Sequence, residues 1–76
     1  MDIAEWNMHV RAGRAFGEAS TCGVKIDYRS EERAGEVAET LQTKYDKDLE
    51  AYPCAFCCGW HVGRRMTDEE RKEFTE

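Results

Sequence analysis

Four cysteines and two histidines are the groups in this 76-residue chain with soft-ligand chemistry. Cys54 and Cys57 form a Cys-x2-Cys pair, and His61 follows four positions after Cys57. A tight turn between two such cysteines lets both sulfurs reach one ion, and it aims backbone N–H groups at them, which stabilises the thiolates. A structural zinc ion takes four ligands. Cys22, far upstream, is the expected fourth, so the expected set is Cys22, Cys54, Cys57 and His61 around a structural Zn2+. Cys58 and His9 are the alternative ligands. Adjacent residues rarely point at one ion, so Cys58 reads as a spare thiol, at a turn position where a positive φ would favour Gly. Two other readings compete. Cys54 and Cys57 can be small core residues beside a core histidine, or the pair can be a redox motif. A redox Cys-x2-Cys opens a helix in a βαβ unit, whereas Gly59-Trp60-His61-Val62 has strand character.

A closed Cys3His site leaves no coordination position for the water that catalytic zinc needs. Ser20 and Ser30 have no evident His–Asp partners, and the many carboxylates fall on solvated helix faces. No catalytic residues are expected, and the chain is read as a non-enzyme.

The elements that must position the cluster follow from periodicity and caps. An N-terminal helix is expected over residues 2–17, capped by Asp2 and ended by Gly17, with Ile3, Trp6 and Val10 on one apolar face. Residues 22–28 alternate: Val24, Ile26 and Tyr28 against Lys25 and Asp27, the pattern of a half-buried strand. Ser30 is an N-cap followed by Glu31 and Glu32, and Ala34, Val37, Ala38 and Leu41 make the inner face of a helix running to about Tyr45. Residues 49–54 and 60–63 read as a hairpin around the Cys-x2-Cys turn, with Pro53 at a strand end. Thr67 and Glu70 form a capping box opening a C-terminal helix over 67–76, whose one large apolar residue after Met66 is Phe74, so weak packing is expected there. The resulting class is α+β: a zinc-knuckle β-hairpin and a strand packed on one central helix, with flanking helices at both ends. Residues 1–76 are expected to be one small zinc-binding domain with a β-α-β-β core at 22–63.

The chain is 41% hydrophobic and 36% charged, too apolar for a disordered tail and too polar for a membrane protein. No apolar run approaches the roughly 18 residues a spanning helix needs, so no membrane partner is expected. Met1 to Trp6 lacks the basic start and apolar middle of a secretion signal, so a cytoplasmic protein is expected, with a metal rather than disulfides as the staple of so small a core.

That leaves binding. A protein partner is expected first, anchored by aromatic and apolar side chains at Trp6, Met8, Phe16 and Phe56. A homodimer through Ile3, Trp6 and Val10 is a second use of the same helix. Nucleic-acid binding is the alternative, through Lys25, Arg29, Arg33, Arg64 and Arg65, although the net charge of −5 works against it. Glu31, Glu32, Glu36 and Glu39 allow nucleic-acid mimicry, or an ordinary solvated helix face.

Residues 22–63 resemble a family of small zinc-finger-like proteins of phages and prophages. The shared pattern is Cys22, a strand with Lys25, Tyr28-Arg29-Ser30 opening an Ala-rich helix, then Tyr52-Pro53-Cys54-Ala55-Phe56-Cys57-Cys58-Gly59-Trp60-His61. Cys58 departs from the family's usual Gly, and both terminal helices fall outside the match. The resemblance implies the zinc site and the fold. By analogy it implies a partner that is a host enzyme or defence complex, inhibited or otherwise modulated in the host cytoplasm.

Overall fold

Asp2 caps the first helix, α1 (Ile3–Phe16): its Oδ1 accepts the Glu5 N–H at 2.8 Å. Gly17, at φ 92°, ends it and donates its N–H to the Gly13 carbonyl. A single helical turn, α2 (Glu18–Thr21), follows at once. The central helix α3 (Glu31–Tyr45) starts at Ser30, whose Oγ accepts the Arg33 N–H at 3.1 Å, and stops at Asp46 in the left-handed region. Strands β1 (Leu49–Pro53) and β2 (Trp60–Arg64) pair antiparallel, with Tyr52 opposite His61 and Pro53 opposite Trp60. The last helix is α4 (Asp68–Phe74), opened by the expected reciprocal Thr67–Glu70 capping box. The computed structural model describes residues 1–23 and 25–75, and over these the architecture is α+β, as expected. Val24 and Glu76, included in the expected strand and last helix, lie outside the described residues.

Helix α3 lies across both strands of the hairpin, and α1 packs on α4 and β1. Ala34 and Ala38 are the buried residues of α3; a methyl group on each lets the helix and the hairpin approach closely. On the other side, Met8, Ala12 and Met66 form a small apolar cluster, against which Phe74 packs.

Two expectations are corrected. Residues 25–28 do not form a strand; among the described residues the sheet has two strands. The N–H groups of Cys22 and Gly23 are drawn back to the Glu18 carbonyl as the end of α2 (2.8 and 2.9 Å). Side chains then take the groups a ladder would use: Asp27 Oδ1 accepts the Trp60 N–H, and the Ile26 carbonyl binds the His61 ring. One backbone bond, Tyr28 N–H to the Trp60 carbonyl at 2.9 Å, holds the segment alongside β2. Ile26 is 64% exposed, so its place in the alternation does not report burial.

The second correction concerns α1. Its buried residues are Met8, His9, Val10, Ala12 and Gly13, whereas Ile3 is 77% exposed and Trp6 41%. Met8 is therefore core, not partner surface, because Met66 covers it. Val10 is buried as well and leaves the proposed dimer face.

α4 buries no residue, in keeping with the weak apolar packing expected of it, and is held by one ring contact and by ion pairs. Phe74 meets Phe16 edge-on at 5.5 Å between ring centres. Arg71 reaches Glu50 of β1 at 2.5 Å and Glu5 of α1 at 3.7 Å. Arg64 forks onto both oxygens of Glu70.

His9 is buried in α1, and its Nε2 stands 3.8 Å from Glu50 Oε1 without a hydrogen bond. Burial holds its pKa below the ordinary 6.5, against the pull of Glu50. The unfolded chain therefore binds a proton there more readily than the folded one, and stability falls as pH drops below about 6.5. His9→Gln is expected to flatten that fall. The check is the difference in urea midpoints between wild type and variant at about pH 7.5 and about pH 5.5, since protonation elsewhere acts on both proteins alike. An unchanged difference would show that His9 is not held neutral in the fold.

Candidate metal centre

The hairpin turn carries two of the ligands. Cys54 ends β1, and its Sγ accepts the N–H groups of Phe56 and Cys57, both at 3.3 Å. The Cys54 N–H closes the turn onto the Gly59 carbonyl at 2.9 Å. Cys58 follows at φ 63°, the left-handed position expected for it. β2 then brings back His61, 1% exposed and buried more deeply than any other large side chain among the described residues. Its Nδ1 lies 2.7 Å from the Ile26 carbonyl, so Nδ1 carries the proton and Nε2 presents a lone pair. That lone pair faces the Cys57 sulfur at 3.4 Å.

Cys22 arrives from the end of α2, not from a strand. The Tyr52 hydroxyl donates to the Thr21 carbonyl at 2.7 Å and ties that turn to β1 one residue before the ligand. One ligand atom from each of Cys22, Cys54, Cys57 and His61 falls within 4.8 Å of all the others. Tetrahedral zinc with bonds of about 2.0–2.3 Å separates its ligands by about 3.3–3.8 Å. The 3.4 Å between Cys57 and His61 already meets that spacing, and no other pair is separated by more than 4.8 Å. The group fits a metal ion.

The electrostatics agree. Burial opposes ionisation of Cys54, but the two N–H groups, together with hydrogen bonds from the Cys57 and Cys22 thiols, outweigh it and bring the thiol down to about 7. Burial pushes Cys22 up to about 12, with hydrogen bonds to Cys54 and Cys57 adding to it. Without a cation the cluster thus holds one thiolate readily and resists the next, because like charges would crowd together. A divalent ion reverses this by neutralising the sulfurs.

Comparison with protein-family models, with curated proteins and with solved structures returns no match. The site is therefore read from its own geometry.

The four expected ligands are those the fold brings together; neither Cys58 nor His9 is in the group. Cys58 is exposed, and His9 sits beside Glu50. The expected partner-binding aromatics Trp6, Phe16 and Phe56 are each 40–41% exposed, but Phe16 spends part of its ring on Phe74. Of the expected nucleic-acid ligands, Arg33 pairs with Glu36, Arg64 with Glu70 and Arg65 with Asp48. Lys25 reaches the Val62 carbonyl at 3.5 Å, and Arg29 sits at φ 66° with its N–H on Asp27. Among the described residues, no helix is long and apolar enough to cross a membrane.

Tyr52 and Asp27 were not singled out as site residues, yet both position ligands. Asp27 Oδ1 accepts the N–H groups of Arg29 (2.8 Å) and Trp60 (3.2 Å), and these bonds hold its carboxyl below the usual carboxylate range. The signal for Tyr52 was its place two residues before Cys54; for Asp27 there was none, because its partner is 33 residues away.

Proposed function

We propose that this chain is a non-catalytic zinc-binding interaction module that binds and modulates a partner protein complex. The observation that carries the reading is the convergence of one nitrogen and three sulfurs within 4.8 Å. Three thiolates and one imidazole suit Zn2+ over harder divalent ions. When bound, the ion supplies a closed tetrahedral cross-link, with all four positions filled by protein and none left for a reacting water. Cys22 would fasten the end of α2 to the hairpin through it, while Cys54, Cys57 and His61 would hold the turn.

A rigid turn of this kind is a platform. Phe56 stands at its tip, partly exposed, and Trp6 on α1 offers a second ring. Part-exposed aromatics on a fixed scaffold are favoured anchors for a protein partner. The resemblance to small phage zinc-finger-like proteins is the ground for placing that partner in a host-cell complex. Nucleic-acid binding is less well supported, since three of its five candidate cations already have carboxylate partners.

The test is a tagged pull-down from bacterial lysate with zinc present throughout and nuclease added to half the sample. We expect a stoichiometric protein that survives nuclease and about 0.5 M salt, which strips most phosphate contacts. Phe56→Ser and Trp6→Ser should each weaken its capture. Recovery of nucleic acid, with every protein band lost on nuclease treatment, would overturn the reading in favour of the Lys25–Arg29 side.

A further inference from the structure

A half-open cavity of about 370 Å³ lies between α1, α2 and the hairpin, and none of the four cluster residues lines it. Its volume is in the range of small-molecule sites. Ala12, Phe16 and Met66 give it an apolar wall. The polar groups that also line it differ in how far they are already used.

Glu50 is used up. Its Oε1 takes the Arg71 guanidinium, and its Oε2 accepts the Met66 N–H at 3.0 Å. Arg64 is used up too, with both terminal nitrogens on Glu70. The Lys25 ammonium is different. It reaches one carbonyl, that of Val62, at 3.5 Å, the outer limit of a hydrogen bond. No carboxylate pairs with it among the described residues. Gly63 leaves it room, for a Cβ there would stand 3.4 Å from Nζ. The cavity also includes His9, 4% exposed, whose Nε2 has no hydrogen-bond partner. A buried nitrogen without a partner is rare and costly, and it is relieved when a polar group moves within reach.

We propose that this cavity binds a small organic monoanion with an apolar body, its carboxylate on the Lys25 ammonium and its hydrocarbon part against Ala12, Phe16 and Met66. The sign follows from the charges left over: with Glu50 and Arg64 neutralised locally, the one uncompensated charge among the described lining residues is positive. The size and the apolar wall exclude a bare inorganic ion as the best fit. This site is separate from the metal centre, and it does not depend on the proposed partner protein.

The experiment is an amide-shift NMR titration of the 15N-labelled, zinc-loaded full chain with benzoate, and with benzyl alcohol and benzylamine as the neutral and cationic counterparts. We expect saturable shifts at Gly13, Thr21, Lys25 and Gly63 with a Kd near or below about 1 mM, the affinity a fragment of this size reaches. Benzyl alcohol and benzylamine should bind about tenfold more weakly or not at all, and Lys25→Met should weaken benzoate by about tenfold. Lys25→Arg, which keeps the charge, should retain binding. The absence of saturable shifts up to about 10 mM, equal binding of benzoate and benzyl alcohol, or undiminished binding by Lys25→Met would each overturn the proposal. Lys25 is exposed, so both variants should keep dispersed spectra. If Lys25→Met does not, the three ligands compared on the unaltered chain still decide the charge preference.

Discussion

Cys57→Ser is expected to abolish metal binding and leave the chain largely unfolded, while Cys58→Ser keeps both the metal and the fold. The two residues are neighbours with the same side chain, and both are exposed. They differ in where the turn points them. Cys57 faces His61 Nε2 at 3.4 Å and belongs to the four-ligand group; Cys58 does not. The size of the effect follows from how little else holds the structure. Among the described residues the buried apolar ones are Met8, Val10, Ala12, Ala34, Ala38, Cys54 and Met66, of which three are alanines. Domains are stable by only about 5–15 kcal/mol in total, and small cores sit at the low end. Structural zinc contributes about 10–16 kcal/mol in small metal-dependent folds. Losing it outweighs the remainder. The measurements are zinc content by elemental analysis and far-ultraviolet circular dichroism of both variants, with the wild type before and after chelation. One equivalent of zinc retained by Cys57→Ser, or zinc lost from Cys58→Ser, would sink the ligand assignment.

Gly59→Ala is the second large effect. Gly59 is buried in the turn between Cys58 and β2, and a Cβ there would overlap the carboxylate of Asp27. Asp27 cannot swing away freely, because its Oδ1 holds the N–H groups of Arg29 and Trp60. Forcing a methyl group into filled space costs about 1–3 kcal/mol. The displaced carboxylate also releases residues 25–28 from β2, and with them the Ile26 carbonyl that orients His61. We therefore expect a lower urea midpoint together with a weaker zinc affinity, measured by competition with a chromophoric chelator. The clash is specific, so a double-mutant cycle tests it: Gly59→Ala should cost much less in an Asp27→Gly background. Equal costs in the two backgrounds would mean that Asp27 does not pack on Gly59 as described.

Contacts that span a few residues were legible before the structure. The Ser30 cap, the Thr67–Glu70 box, the Gly17 stop and the left-handed Cys58 all depend on groups one to four residues apart. The Cys-x2-Cys turn belongs with them, since Cys54 draws on N–H groups two and three residues on. The absence of a strand over 25–28 escaped the sequence because alternation records hydropathy alone. It does not record that the Glu18 carbonyl, Asp27 and His61 compete for the backbone groups a strand would use. Met8 was misplaced because a helix shows several apolar stripes, and only the arrival of Met66 and Phe74 selects one.

The sequence by itself determined the ligand types, the knuckle spacing, the helix ends and the α+β class, because short-range geometry and side-chain chemistry leave few alternatives there. The tertiary structure alone decided what lies between distant segments. It set Cys22 beside the knuckle through the Tyr52–Thr21 bond across 31 residues, and docked α4 through Arg71 and Glu50 across 21. It also left Lys25 lining a cavity with no carboxylate paired to it among the described residues. Such pairings turn on which surfaces meet once loops have closed, and no local periodicity carries that information.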